Sequence, residues 1–248
     1  GGGTGIGRAT ALALATQGAR VTVLARRLKA LETLLPELEA IGAHGAIALQ
    51  ADLDDRSSLA KVIESHVNSH GPIHVLINNS GGPPAGPLLE ASEEDFLLPL
   101  GRHLLASHLL VKALLPGMVE SGYGRIINII STSVREPIPN LGVSNTVRGA
   151  MASWAKSLSR ELPPGVTINN VLPGFTDTER LSVLRSAVAN RSGRSNEEVQ
   201  ADWISQVPEG RLALPEEIGA AIAFLASPAG AYVRGVSLPV DGGRLKSI

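Results

Sequence analysis

Short apolar runs alternate along this chain with longer segments in which apolar residues recur every three or four positions. The runs have the length of buried strands, whereas the longer segments have the period of amphipathic helices. Strands are therefore predicted at 21–25, 44–52, 74–79, 124–130, 166–173 and 235–240.

Helices are predicted between these strands, and Pro99 is expected to bend the longest of them. Repeated alternation of strand and helix predicts an α/β fold, in which a parallel, doubly wound sheet has helices on both faces. No linker, low-complexity tract or repeat interrupts the pattern, so a single domain over residues 1–248 is expected. The predicted helices cover 8–19, 28–41, 57–69, 93–121, 144–161 and 215–226.

The chain opens on the glycine-rich segment GGGTGIG, which a helix-like stretch follows directly. Gly1, Gly5 and Gly7 would let the backbone approach a pyrophosphate, which the N-terminus of the following helix attracts. By itself the motif is weak, because glycine-rich turns also simply connect strands to helices. A strand normally precedes such a turn, so we expect a further strand, at the centre of the sheet, before Gly1.

Composition excludes several classes of function. A formal net charge of −1 gives no electrostatic basis for binding nucleic acid. No apolar run approaches the ~20 residues that span a bilayer, and no signal peptide is visible, so no membrane partner is expected and a cytoplasmic location is compatible with the sequence. The chain has no cysteine, and its histidines show no ligand spacing, so no metal site is predicted.

Further motifs follow the glycine turn along the chain. Asp52 ends the second predicted strand, NNSG stands at 78–81, and GRIINIIS stands at 124–131. NNVLPGFTDT begins at Asn169, and VRGVSLPVDGG lies near the end of the chain. With these motifs the chain resembles the short-chain dehydrogenase/reductase family over essentially its whole length. The resemblance implies a Rossmann-type oxidoreductase that uses NAD or NADP and acts on a small alcohol or carbonyl substrate.

The resemblance also implies which residues bind the cofactor. Each has a plainer interpretation, because the glycines and NNSG can be tight turns, Asp52 a turn residue and the segment from Pro173 onward a solvated loop. The implied cofactor residues are Gly1, Gly5, Ile6, Gly7, Asp52, Leu53, Asn79, Gly81, Arg148, Pro173, Gly174 and Thr176.

Arg26 follows the strand that ends at Ala25, where dinucleotide-binding folds choose between the two cofactors. An acidic residue there binds the ribose 2′-hydroxyl of NAD, whereas an arginine accepts the 2′-phosphate of NADP. Arg26 and its neighbour Arg27 are also ordinary candidates for solvated surface charge. We therefore expect NADP, with NAD as the second choice.

The family's usual catalytic set is Asn, Ser, Tyr and Lys, with the Tyr and Lys four residues apart on one helix. The Ser ends the strand GRIINIIS, which places it at Ser131, and counting onward reaches Ser144 and Arg148 where Tyr and Lys are expected. Counting back places His103 at the Asn position. Only Ser131 keeps its family identity.

These substitutions change the available chemistry. A phenol can be tuned toward the working pH as a proton donor, whereas the aliphatic hydroxyl of Ser144 cannot easily be. Arg148 stays protonated, so it can hydrogen-bond a ribose but is a poor proton relay. His103 titrates in the useful range, although a histidine on a helix is as often packed or solvated as catalytic.

Three functions remain open from the sequence. The first is an NADP-dependent oxidoreductase in which Ser131 and Ser144 hold the carbonyl and water or His103 supplies the proton. The second is a non-catalytic dinucleotide-binding sensor or assembly protein, and the third is a dehydratase or isomerase. Apolar positions on more than one face of helices 93–121 and 144–161 predict a homodimer or homotetramer, and the polar segment 176–206 is expected to form a substrate lid.

Overall fold

A computed structural model describes residues 1–43 and 45–247 as a parallel sheet between layers of helices. The expected α/β, doubly wound fold is confirmed. The strands are β1 (Thr22–Ala25), β2 (Ile47–Gln50), β3 (Val75–Asn78), β4 (Gly124–Ile129), β5 (Val166–Pro173) and β6 (Ser237–Val240).

Helices connect these strands, and three short 3₁₀ turns, at Leu88–Glu90, Thr132–Val134 and Pro228–Gly230, lie in the loops. The first helix begins inside the glycine turn, and the last precedes β6. The α-helices are α1 (Gly5–Thr16), α2 (Leu28–Glu32), α3 (Leu35–Ala40), α4 (Arg56–His70), α5 (Glu93–Leu100), α6 (Ala106–Glu120), α7 (Gly142–Glu161), α8 (Glu179–Ser192), α9 (Asn196–Ser205) and α10 (Pro215–Ala226).

All strand pairs are parallel, and they form two groups. In one group β1 pairs with β2, and in the other β3, β4, β5 and β6 pair in that order. A cavity of about 640 Å³ lies between β1 and β3, lined by apolar side chains of both strands such as Val23 and Leu76.

Prolines account for two differences from the predicted helices. The helix predicted over 28–41 is two helices, because Pro36 has no N–H to donate to the carbonyl of Glu32, where α2 ends. The long helix predicted over 93–121 is also divided. After Pro99 the chain makes a π-helical turn at Gly101–Leu105 before α6 begins.

Strand ends differ by smaller amounts. The strand predicted over 235–240 begins at Ser237, since Gly235 has φ +69° and leaves the extended region. The strand predicted from residue 44 begins at Ile47, and His44 itself lies outside the described residues.

Aliphatic side chains on both faces of the sheet form the core. On one face Ile126 and Ile168 pack against α4 and α6, through Leu59 and Leu114. On the other face Ile127 and its neighbours pack against α10. Helix α10 also lies close to α1, where a Cβ on Gly219 would lie 3.0 Å from backbone atoms of Ala9. A compact core on both faces holds the strand ends, and the loops that follow them, in fixed positions.

The segment expected to be a lid is folded. It forms the helices α8 and α9, whose apolar side chains cluster around Val199 and Trp203, and Trp203 stacks on Phe175 with ring centroids 5.0 Å apart. The closing of this segment over a bound substrate stays a prediction.

Some apolar side chains remain at the surface. Leu97 and Leu98 on α5 and Leu105 just before α6 are each about half exposed, so this helical region keeps an apolar face that the described residues leave uncovered. The predicted homo-oligomer stays a prediction. Within the described part of the chain, no helix is both long and apolar enough to cross a membrane.

Candidate active site

The loops after β3, β4 and β5 meet at one edge of the sheet, because the carboxyl ends of parallel strands point the same way. Asn79 follows β3, Ser131 follows β4, and Gly174 follows β5. The glycine turn lies at the same edge, where Asn79 Nδ2 donates a hydrogen bond to the Gly1 carbonyl at 3.0 Å. The structure thus brings Gly1 and Gly174, which are 173 positions apart in the sequence, to the same edge of the sheet.

The glycine turn has the geometry of an anion cradle. A Cβ on Gly7 would collide with the Gly1 carbonyl, and Gly5 has φ +52°, which favours glycine. Thr4 stands at the N-cap of α1 but makes no side-chain cap hydrogen bond. The first N–H groups of α1, which include those of Ile6 and Gly7, are thus left for a ligand, and a pyrophosphate suits them.

The segment that follows β5 passes close to the glycine turn. Pro173 ends the strand, and Gly174 is in close contact with Asp241, where a Cβ would lie 2.7 Å from the Asp241 Cα. Thr176 Oγ1 donates to the Gly174 carbonyl at 3.1 Å. Thr178 then reaches the glycine turn, with its Cγ2 3.2 Å from the position of a Cβ on Gly5. The segment 173–178 therefore covers the anion cradle from the side of β5.

Arg26 and Asp52 lie farther along the same edge, after β1 and β2. The side chain of Arg26 is exposed, and its backbone carbonyl accepts a hydrogen bond from Gln50 Nε2 at 2.9 Å. Asp52 accepts from the backbone N–H of Asp54 at 3.0 Å, and Leu53 between them is half-buried. These positions suit the adenosine end of a dinucleotide, at a distance from the loops after β4 and β5.

Ser131 is held at the end of β4. Its hydroxyl oxygen accepts a hydrogen bond from the backbone N–H of Ser133 at 3.1 Å and so caps the short 3₁₀ turn Thr132–Val134. This bond uses an acceptor position and leaves the hydroxyl proton free to be donated. A fixed donor at the end of a central strand can bind a carbonyl oxygen.

Ser144 and Arg148 lie one turn apart on α7, so they share one face of the helix. The Arg148 guanidinium is buried, and its Nη1 donates to the Ile129 carbonyl at 2.8 Å, two residues before Ser131. Burial, and secondly the positive charge of Arg180, lowers the pKa of Arg148 to about 10. Arg148 is therefore still a cation at neutral pH, at the position where the resemblance expects Lys.

His103 lies in the π-helical turn and is buried. Burial, and then the charges of Arg148 and Arg102, lowers its pKa to about 3. The expectation that His103 titrates in the useful range is therefore wrong, because a buried imidazole between two guanidinium groups stays neutral. At neutral pH it can offer one N–H and one ring nitrogen acceptor, but not an imidazolium.

Sequence reasoning missed the partner of His103. The Ser80 hydroxyl lies 2.6 Å from His103 Nδ1, in hydrogen-bond contact. Ser80 is the residue that turns the usual NNAG into NNSG, so two departures from the family pattern meet in space. The two departures from the family pattern were the signal in the sequence that could have indicated this contact, although Ser80 and His103 lie 23 positions apart.

A row of buried amides was also missed. Asn78 Nδ2 donates to Asn128 Oδ1 at 2.8 Å, and Asn128 Nδ2 donates to Asn170 Oδ1 at 2.9 Å. Asn170 Nδ2 then donates to the Ser237 hydroxyl at 3.1 Å. The four residues are in register across β3, β4, β5 and β6, just below the candidate site. The ladder joins the strand ends from which the site loops emerge.

In the described ranges 1–43 and 45–247, no group of three His, Asp or Glu side chains is placed so that it could hold a metal ion. The groups that the site does offer are hydroxyls, guanidinium groups and backbone N–H groups. Such groups bind oxyanions and carbonyl oxygens.

A parallel sheet with a glycine cradle at its carboxyl edge defines a Rossmann-type, dinucleotide-binding protein. A family model described as enoyl-(acyl carrier protein) reductase matches residues 1–244. The chain belongs to the short-chain dehydrogenase/reductase family of oxidoreductases, as the sequence motifs indicated.

Individual relatives agree over nearly the full length of the chain. The uncharacterized oxidoreductase MT0954 of Mycobacterium tuberculosis is 33% identical over 244 residues, which are 98% of this chain and 89% of that protein. The 3-oxoacyl-(acyl-carrier-protein) reductase FabG of Vibrio cholerae is 33% identical over 242 residues, 96% of this chain and 92% of that protein. The L-sorbose reductase of Gluconobacter frateurii, solved with NADPH and L-sorbose, superposes with a TM-score of 0.93 at 26% identity and covers 100% of this chain and 95% of its own.

Proposed function

We propose that this protein is an NADP(H)-dependent dehydrogenase/reductase that interconverts an alcohol and a carbonyl compound without a tyrosine proton donor. The observation that carries the proposal is the position of Arg148, which lies one turn from Ser144 on α7 and donates through Nη1 to the carbonyl of Ile129, two residues before Ser131. The reductases among the relatives, one of them solved with NADPH, support the same class of reaction.

The chain's own residues suit the cofactor. Backbone N–H groups at Gly5–Gly7 would hold the pyrophosphate, Asp52 and Leu53 would border the adenine, and Asn79, Gly81 and Thr176 would border the nicotinamide half. When bound, the nicotinamide supplies or accepts the hydride. The protein itself must then bind the substrate oxygen and provide for the transfer of one proton.

Ser131 is proposed to donate its hydroxyl proton as a hydrogen bond to the substrate oxygen, on which negative charge develops during reduction. The Arg148 cation, one turn from Ser144 on α7, adds a positive potential that stabilises the same charge. Neither a serine nor an arginine is a suitable acid near neutral pH, and His103 is neutral there. The proton is therefore proposed to come from water, in the space that a tyrosine ring would fill.

The non-catalytic alternative, a sensor or assembly protein, has no support among the relatives, which are named as reductases and dehydrogenases. The lid remains part of the proposal. Arg180 Nη2 at the start of α8 donates to the Pro83 carbonyl at 2.7 Å, and Arg191 Nη2 near its end donates to the Ala85 carbonyl at 3.1 Å. These two bonds are what would break if α8 and α9 move away from the site.

Arg26 is expected to select NADPH over NADH. Replacing Arg26 by Ala should weaken NADPH binding by about 10- to 100-fold, which is the effect of a lost charged hydrogen bond, and should leave NADH binding unchanged. Fluorescence titration of both cofactors measures this. Arg27→Ala is the matched control, since Arg27 is an adjacent exposed arginine. Equal affinities of the wild type for NADH and NADPH would contradict the prediction.

Restoring the family's pair tests the proton relay. The double substitution Ser144→Tyr with Arg148→Lys is expected to raise the rate of reduction of neutral ketones by about 10²-fold, the lower end of what general acid catalysis contributes. The double substitution Ser144→Phe with Arg148→Lys differs only by the phenolic hydroxyl and serves as the control. Equal rates in both doubles, with NADPH binding intact, would show that a missing proton donor does not limit this site.

A further inference from the structure

Two guanidinium groups converge on the loop that follows β3. A Cβ on Gly82 would lie 3.6 Å from Arg180 Nη2 and 3.7 Å from Arg148 Nη2. The Ser144 hydroxyl lies 4.0 Å from the same point. One small space beside Gly82 is therefore bordered by two cations and a hydroxyl, of which Arg148 and Ser144 come from α7 and Arg180 comes from α8.

Within the described ranges, no carboxylate lies at ion-pair distance from these two cations. Among residues 1–43 and 45–247 four ion pairs form, and none includes Arg148 or Arg180. Arg148 donates through Nη1 to a carbonyl of β4, and Arg180 donates to the Pro83 carbonyl. Neutral carbonyls fix both groups in place without neutralising them. Arg148 is buried, and a buried cation without a counter-charge is costly unless a ligand supplies one.

We propose that Arg148, Arg180 and Ser144 form a binding site for a carboxylate of the substrate, so that the protein acts on a small oxo or hydroxy acid rather than on an uncharged carbonyl compound. Planar guanidinium groups match the two oxygens of a carboxylate, and a serine hydroxyl adds a third donor. The identification of the ligand as a substrate rests on the proposed oxidoreductase function.

The position of the site limits the size of the substrate. Arg148 is bonded to Ile129, only two residues before Ser131, so the carboxylate would lie close to the hydroxyl that holds the carbonyl oxygen. Carbonyl and carboxylate groups separated by one or two carbon atoms suit this arrangement. Arg180 lies on α8, so an anion bound there would also bridge this helix to α7.

Binding of matched ligands to the protein loaded with NADP⁺ tests the proposal without requiring turnover. Calorimetric titration compares acetoacetate with its methyl ester, which differs by the loss of the charge, and includes the dicarboxylate malonate as a second anionic probe. Acetoacetate and malonate are expected to bind at least about 10-fold more tightly than the ester. Equal binding of acetoacetate and the ester, or no measurable binding of either acid, would overturn the proposal.

Variants identify the groups responsible. Arg180→Gln, at an exposed position, should weaken acetoacetate binding by about 10-fold or more, and Arg148→Gln should do the same if it folds. Arg191→Gln is the matched control, because Arg191 lies on the same helix and also bonds a carbonyl of the 82–86 loop. Unchanged acetoacetate binding in Arg180→Gln would overturn the proposal.

The phosphates of the cofactor are the other possible source of a negative charge. If Arg180→Gln lowers NADPH affinity and leaves acetoacetate binding unchanged, the site serves the cofactor and the carboxylate proposal is wrong. The result also separates the two proposals. Charge-selective binding of acetoacetate without reduction of any carbonyl compound would retain the anion site and refute the oxidoreductase function, whereas reduction of neutral ketones without charge selectivity would do the reverse.

Discussion

Replacing Ser131 by alanine is expected to lower kcat for carbonyl reduction by about 10²-fold or more and to leave NADPH affinity unchanged. A hydrogen-bond donor aimed at a developing oxyanion typically contributes this much to the rate, because its bond strengthens as charge forms on the oxygen. The fold fixes the Ser131 hydroxyl in place. Ser131 follows β4 directly, and the Ser133 N–H at 3.1 Å orients its hydroxyl oxygen.

Ser133 provides the matched control for this prediction. Its own hydroxyl is buried and has no hydrogen-bond partner among the described residues, while its backbone N–H makes the bond to Ser131. Ser133→Ala keeps that N–H, so kcat should change by less than about threefold. Steady-state rates with NADPH, and NADPH titration of each variant, separate loss of chemistry from loss of binding.

A Ser131→Ala variant that keeps its rate would contradict the proposed role of this hydroxyl. The substrate oxygen would then be held by Ser144 or by Arg148 alone. A fall in NADPH affinity as large as the fall in kcat would contradict it in another way, because it would place Ser131 in cofactor binding.

The order of elements could be read from the sequence because strands and helices here have different hydrophobic periods. Strands β4 and β5 are buried at every position, although Arg125, Asn128, Thr167, Asn169 and Asn170 interrupt their apolar residues. The main errors in the predicted helix boundaries lie at prolines. Pro36 divides one predicted helix, and Pro99 precedes a π-helical turn that no periodicity reveals.

The candidate site was predictable where residue spacing carries it. Counting from the strand GRIINIIS placed Ser131, Ser144 and Arg148, and in the structure Arg148 on α7 donates to the carbonyl of Ile129, two residues before Ser131. What could not be read was the environment of each side chain. His103 looked titratable because its burial between Arg148 and Arg102 depends on tertiary packing.

Contacts between residues that are far apart in the sequence were the other feature that the sequence alone could not predict. Ser80 and Arg180 were not singled out, because their roles depend on neighbours that lie far away in sequence. Ser80 contacts His103, and Arg180 meets Arg148 beside Gly82. A departure from a family motif at Ser80 could have directed attention to this loop, but nothing in the local sequence around Arg180 could.

Replacing Asn128 by alanine is expected to lower the free energy of unfolding by about 2–5 kcal/mol. Asn128 is fully buried and is the central member of the amide ladder, with bonds to Asn78 at 2.8 Å and to Asn170 at 2.9 Å. The alanine removes both bonds and leaves a donor on Asn78 and an acceptor on Asn170 buried without partners. Each such group costs about 1–3 kcal/mol.

Denaturation by guanidinium chloride, followed by circular dichroism at fixed protein concentration, measures this loss. Ser237→Ala is the control, because Ser237 ends the ladder at a half-buried position and makes only one bond of it, to Asn170. Its effect should stay below about 1 kcal/mol, since water can replace the lost hydroxyl there. Equal losses of unfolding free energy in Asn128→Ala and Ser237→Ala would show that the buried central position of the ladder contributes no more stability than its half-buried end.

The same substitution should also reduce activity, because Asn128 lies three residues before Ser131 on β4. The ladder fixes β3, β4 and β5 relative to one another at the edge where the site loops begin. A displaced Ser131 hydroxyl would bind the substrate oxygen less well, so kcat should fall under conditions in which the variant is still folded. An Asn128→Ala variant with unchanged stability would refute the ladder's structural role, and one that is destabilised but fully active would show that stability alone depends on it.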